Sequence, residues 1–200
     1  MLTSARFSAC LLCAVLLPLP QIFAQQTTAA PQKVFTPEQM ASRQRYQAWE
    51  ANYRSLQAQG KQIYDAEMAR EKASEQVGNC PSANSDMDFD VCFSQLVKIT
   101  DASLASYEQV IRGLKAPQPK MPGEVGSAPG SSSSPTPLES LAQFNQVEQC
   151  WEQYSKIACK AAYDQLYGGS GAGSFGAECQ LQLTRDHIRE LHMIYGEDFI

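Results

Sequence analysis

Apolar residues recur at helical spacing in four stretches of the chain. In the first, Tyr46, Trp49, Tyr53, Leu56 and Ile63 form one stripe, with Gly60 on the same seam and Gln, Glu, Lys and Arg around the rest. Thr36-Pro37-Glu38-Gln39 is a start signal: Thr as N-cap, Pro at the first helical position, Gln three residues after the cap. A long amphipathic helix is expected over 36–78. Its stripe either packs on the rest of the chain or pairs with a second copy. The second stretch carries Phe89, Phe93, Leu96, Thr100, Leu104, Tyr107, Ile111 and Leu114, which predicts a helix from Ser85 or Asp86 to Lys115. In the third, Thr136-Pro137-Leu138-Glu139 repeats the start signal. Leu141, Phe144, Val147, Trp151, Tyr154, Ala158 and Ala162 follow on one face, with an end near Leu166 or Tyr167. A Gly/Ser loop over 168–176 leads to a last helix, Ala177 to Tyr195, expected to bury Leu181, Thr184, Ile188 and Leu191.

No stretch alternates as a half-buried strand would, so the class is all-α. The architecture expected is a three-helix bundle preceded by the long amphipathic helix. Core positions include Leu104, Tyr107, Phe144, Trp151 and Tyr154. Periodicity is lost over 116–135, where prolines, glycines and the run Ser131–Ser134 predict a disordered insertion. Residues 25–35 are expected to form a flexible tether, and 196–200 a polar tail.

Composition changes the picture at the N-terminus. Met1–Arg6 carries one positive charge and Phe7–Leu19 is apolar. Pro18 and Pro20 follow, then the small residue Ala24, with a bulkier Ile22 before it. This predicts a secretory signal peptide over 1–24, with an uncleaved anchor as the alternative. The apolar run is too short and too broken by proline to span a bilayer of about 30 Å comfortably, and no stable membrane insertion is expected after the signal is removed. Without those residues the chain holds 15 Lys and Arg against 21 Asp and Glu, a net charge of −6. That argues against general nucleic-acid binding, which needs clustered cations, and suits a cationic partner.

An exported chain places its thiols in an oxidising compartment, periplasmic or secreted. Antiparallel neighbouring helices would collect Cys80, Cys92, Cys159 and Cys179 at one end of the bundle, where two disulfides can form. Four cysteines allow three pairings. Equal axial depth favours Cys92 with Cys159 and Cys80 with Cys179. Cys150 is left over, as a partly buried free thiol or an intermolecular bridge.

Little in the sequence suggests catalysis. His187 and His192 are five apart, where aligned helical metal ligands need four, and oxidised cysteines do not ligate zinc. Both histidines are expected on a surface helix, away from any Ser-His-Asp or Cys-His arrangement. The glycine-rich loop after Tyr167 lacks the Lys of a P-loop and is expected to turn the chain. Neither a metal nor a cofactor is implied.

The span Cys80–Leu191 resembles the LprI-like lysozyme-inhibitor domain family of exported bacterial proteins. Cys80 and Cys92 match its opening pair, and Trp151, Tyr154 and Cys159 keep its central spacing. Tyr167, Gly168, Gly169 and Ser170 resemble its Tyr-x-Gly-Gly-Ser loop, and Cys179, Thr184 and Leu191 match its close. The chain departs where Glu148 stands for Gln, Ser155-Lys156 for Arg-Asp, and His187 for Arg. Leu104-Ala105-Ser106-Tyr107 also lacks the family's Asn. The resemblance implies a non-enzymatic binding protein of the cell envelope that occludes a basic partner such as lysozyme. The candidate binding loop holds Tyr167, Gly168, Gly169, Ser170 and Ser174. The alternative is a periplasmic assembly module whose first helix docks a partner or makes a homodimer.

Overall fold

The computed structural model describes residues 35–120 and 135–199. The signal peptide expected over 1–24, nearly all of the tether over 25–35 and most of the insertion over 116–135 lie outside the described residues. Four helices account for the fold: α1 (Pro37–Val77), α2 (Asp86–Leu114), α3 (Pro137–Gln165) and α4 (Ala172–Tyr195). A short 3-10 turn, Gly196–Phe199, follows α4. The described residues contain no strand.

The start signals act as capping boxes. Thr36 Oγ1 accepts from the Gln39 amide at 3.2 Å, while the Gln39 side chain accepts from the Thr36 amide at 2.9 Å. Thr136 and Glu139 repeat the arrangement at the head of α3. Each box satisfies two of the four amides a helix start leaves without partners.

The helices pack in the order α1, α2, α4, α3. α1 runs antiparallel to α2, with Leu56 against Gly113 and Glu67 against Thr100. α2 and α4 run parallel: Thr184 Oγ1 donates to Asp101 at 3.1 Å, Tyr107 meets His192 and Lys115 pairs with Asp198. α3 runs antiparallel to α4, joining Phe144 to Tyr195 near one end and Cys159 to Cys179 at the other. The main core gathers Leu104, Tyr107, Val110, Ile111, Phe144, Ile188 and Leu191, with Tyr53, Leu56, Ile63 and Trp151 packed against it. From Tyr53 onward the stripe of α1 is thus used within the chain. At 41 residues α1 is about 60 Å long against about 43 Å for α2, so its first turns overhang the bundle. There Tyr46 and Trp49 continue from Tyr53 as a ladder of tilted rings, with centroids 5.7 and 5.1 Å apart.

The structure corrects several expectations. The four cysteines do meet at one end, but they pair locally: Cys80 with Cys92, Cα atoms 6.0 Å apart, and Cys159 with Cys179, 5.4 Å apart. Cys80 lies in the connection after α1, which folds back onto the first turns of α2. Cys159 and Cys179 sit on facing sides of an antiparallel helix pair. Each bridge closes a loop of 12 or 20 residues, worth about 3 kcal/mol in the chain-entropy model. Cys150 is a free thiol, exposed rather than partly buried. α4 starts at Ala172, not Ala177, so Ser174 belongs to its first turn rather than to a loop. Gly173 and Gly176 are there because α4 passes close to its neighbours. A Cβ at Gly173 would lie 2.9 Å from the Asp90 carboxylate, and one at Gly176 3.3 Å from Tyr163. Tyr154 is 59% exposed, not core. The side chains α3 turns inward are Phe144, Glu148, Ser155 and Cys159. Nor are the last residues a free polar tail: Phe199 is buried against Gly60 and Tyr107.

Candidate functional site

Both disulfides brace the end of the bundle where α3 turns into α4. Cys159–Cys179 ties the two helices about two turns from the connection, and Cys80–Cys92 holds the start of α2 beside it. The connection itself is a tight turn. The Gly169 amide donates to the Leu166 carbonyl at 2.9 Å, and the two residues between, Tyr167 and Gly168, have φ of 53° and 72°. Positive φ at both central positions is the type I′ pattern, ordinary for Gly but costly for Tyr. Tyr167 is 98% exposed, so no packing compensates it. Ser170 Oγ donates to the Asp86 carboxylate at the head of α2, which anchors the turn sideways.

Apolar side chains surround this tip. Met87, Phe89 and Val91 on α2, Tyr163 and Leu166 on α3 and Phe175 on α4 are all exposed. Asp86, Asp88 and Glu178 add exposed acid. Asp88 is held below the usual carboxylate range by the Ser85 hydroxyl and the Asn84 amide. Of the candidate loop, the structure brings Tyr167, Gly168, Gly169 and Ser170 into one turn and leaves Ser174 behind in α4.

A second concavity, of about 640 Å³, lies between α2 and α3 and includes Asp101, Glu108, Glu148, Trp151 and Ser155. Neither histidine lines it, and both are placed otherwise than the sequence suggests. His187 is buried, not on the surface. Its ring stacks on Trp151 at 4.2 Å, and Nε2 lies 3.0 Å from Glu148 Oε2. His192 stacks on Tyr64 at 3.5 Å and meets the Tyr107 hydroxyl at 2.9 Å. Burial pushes its pKa down. Among the described residues no group of three or more His, Cys, Asp or Glu is placed to hold a metal ion. No helix of the described residues is long and apolar enough to cross a membrane.

The family model described as lysozyme inhibitor LprI matches residues 78–191, more than half of the chain. The chain belongs to the LprI family. No curated protein and no solved structure matches it. The matched span begins just after α1 and ends within α4, so it covers both disulfides, the tip and the groove. Glu148 and His187, two departures from the pattern the sequence resembles, touch each other, Glu148 from the groove lining and His187 from the buried face of α4.

Burial first, then the neighbouring Glu148 carboxyl across the groove, raises the pKa of Glu108, with Arg112 opposing. The folded state therefore holds that proton more tightly than the unfolded chain. The resulting stability is fully present below the unfolded value of about 4.3 and is lost as pH rises through the folded value. Glu108→Gln keeps a donor toward Glu148 without the ionisable group. Its melting temperature relative to the parent is expected to rise steadily from pH 4 to pH 7. His192 is common to both proteins and cancels. A difference independent of pH would show that Glu108 is not held protonated in the folded state.

Proposed function

We propose that this protein is an exported inhibitor of a basic lysozyme, acting by occlusion without chemistry, with the tip as the part that enters the substrate cleft. Membership of the LprI family over residues 78–191 carries the reading. The tip supports the placement. It presents one fully exposed aromatic ring, a surround of apolar side chains and a surplus of acid, on a base held by two covalent bridges. Rigid presentation lowers the ordering cost of binding, and acid steers a cationic partner into encounter. The disulfides suit an address outside the cytoplasm.

The test is lysozyme turnover of cell walls with purified protein. Slowing at micromolar inhibitor, weakening as salt is raised, is expected; unchanged turnover removes the reading. Tyr167→Gly tests the placement. The ring is lost and the left-handed strain relieved, roughly 1–2 kcal/mol, while glycine's extra freedom in the unfolded chain takes back roughly 0.5–1. Folding stability should stay nearly level while inhibition falls at least tenfold. Undiminished inhibition by this variant would move the site away from the tip.

The aromatic ladder on the overhang of α1 favours a second reading, an assembly module docking there. Removing residues 37–52 separates the two. Docking through the overhang would go, while inhibition from the opposite end of the bundle would stay.

A further inference from the structure

The polarity of α3 is reversed with respect to its packing. Two of the side chains it turns inward are Glu148 and Ser155, whereas Val147, Tyr154 and Ile157 face outward, the last 72% exposed. Around them the outer face is Gln143, Cys150 and Ala161, at spacings of three and four. This face carries no charged side chain from 143 to 161, five turns and about 27 Å of helix. The charges of α3 in that span, Glu148, Glu152, Lys156 and Lys160, all lie on its other sides.

What covers such a face follows from charge and symmetry. The chain is acidic, with a formal net charge of −5, so two copies repel over much of their surface. The outer face of α3 adds no charge of its own to that repulsion, Glu190 of α4 at its edge being the one exposed acid beside Cys150, and it offers little to a strongly cationic partner. Cys150 lies near the middle of the face and is left unpaired by the two internal bridges. A two-fold contact brings a residue on its axis against itself. An antiparallel crossing of two α3 helices at Cys150 sets Val147 opposite Tyr154 of the second copy, and Gln143 opposite Ile157. Beside Cys150, between Trp151 and Glu190, a shallow cavity of about 440 Å³ leaves room for the incoming side chains.

We propose that the outer face of α3 is a two-fold interface between two copies of this chain, closed by a disulfide between their Cys150 residues. The bond needs an oxidant, a small or protein disulfide. One Cys150 thiolate attacks it, forming a mixed disulfide and expelling one thiol. The second copy's Cys150 thiolate then displaces the other thiol. Two protein thiols are oxidised and one disulfide is reduced to two thiols. The antiparallel crossing points the two tips in opposite directions, so both stay free.

The experiment uses the purified protein with oxidised glutathione, followed by light scattering and non-reducing electrophoresis. Twice the monomer mass is expected by both. Cys150→Ser should dimerise reversibly and fall to monomer on dilution. Adding Ile157→Glu should leave only monomer, with unchanged helical circular dichroism because position 157 is exposed. With Cys150 present, Ile157→Glu should slow bridging at least tenfold. A monomer at 100 µM with a freely titratable thiol overturns the proposal. So does bridging at the same rate with Ile157→Glu, which marks random collision. So, too, does a dimer that survives Ile157→Glu but is lost on removal of residues 37–52.

Discussion

Glu67→Ala is expected to destabilise the protein by about 3–5 kcal/mol, a large part of a small domain's stability. Glu67 is wholly buried between α1, α2 and α4. Its carboxylate accepts from the Thr100 hydroxyl at 3.2 Å and from Arg70, and faces Arg185 Nε at 3.6 Å. Arg185 is only 4% exposed. Its Nη1 donates to Asn79 Oδ1 at 3.0 Å, but Asn79 carries no charge. Removing the carboxylate leaves a guanidinium buried beside Arg70 with no anion to balance it, and that uncompensated charge sets the size of the loss. Glu50→Ala is the control. Glu50 pairs with Arg54 on the exposed side of α1, where a substitution changes stability by about 0.5 kcal/mol or less. Urea unfolding of the two variants decides. A loss below about 1 kcal/mol for Glu67→Ala would mean that water reaches Arg185 and the pair is not dry.

The same residue shows where the sequence was legible and where it was not. Gly60, Ile63 and Glu67 share one seam of α1, so an acid on an apolar stripe was there to be seen. Its partner was not, because Arg185 comes from a helix 118 residues further on. The helix starts were legible because capping is local: Thr36 with Gln39 and Thr136 with Glu139 need only their own four residues. The start of α4 was missed because its glycines read as loop. They are glycines because Asp90 and Tyr163 press against that turn, which no local pattern records. The outer stripe of α3 misled for a related reason. Val147 and Tyr154 look like core until His187 is seen holding Glu148 inward. Axial position placed the four cysteines at one end, but pairing depends on which way each side chain faces around its helix. For the tip, the Tyr-Gly-Gly-Ser motif was plain in sequence. That its tyrosine would be the exposed, left-handed residue was not.

Gly60→Ala and Phe199→Ala are expected to be strongly coupled. The Phe199 ring occupies the space over Gly60 so closely that a Cβ there would lie 2.1 Å from its Cε1. One methyl group must therefore expel the ring. Phe199 is buried, packs with its ring tilted on Tyr107 at 5.2 Å between centroids, and is backed by Lys115–Asp198 at 2.8 Å and Gln57 on the Asp198 carbonyl at 2.8 Å. Phe199→Ala should cost about 3 kcal/mol, the lower end for a buried phenylalanine, because the terminal turn can move aside without leaving a closed cavity. Gly60→Ala forfeits the same packing but gains roughly 1 kcal/mol of helix propensity, for a net loss of about 2. In the double variant the ring is already gone and only the propensity gain remains. It should therefore be about as stable as Gly60→Ala alone and more stable than Phe199→Ala, a coupling of about 3 kcal/mol. Strictly additive losses would mean that Phe199 does not rest on Gly60. Because α1 lies before the family-matched span and Phe199 after it, this contact joins the elements that flank that span. Its loss should loosen α1 first, and hydrogen exchange in residues 53–67 should rise before exchange around the disulfides does.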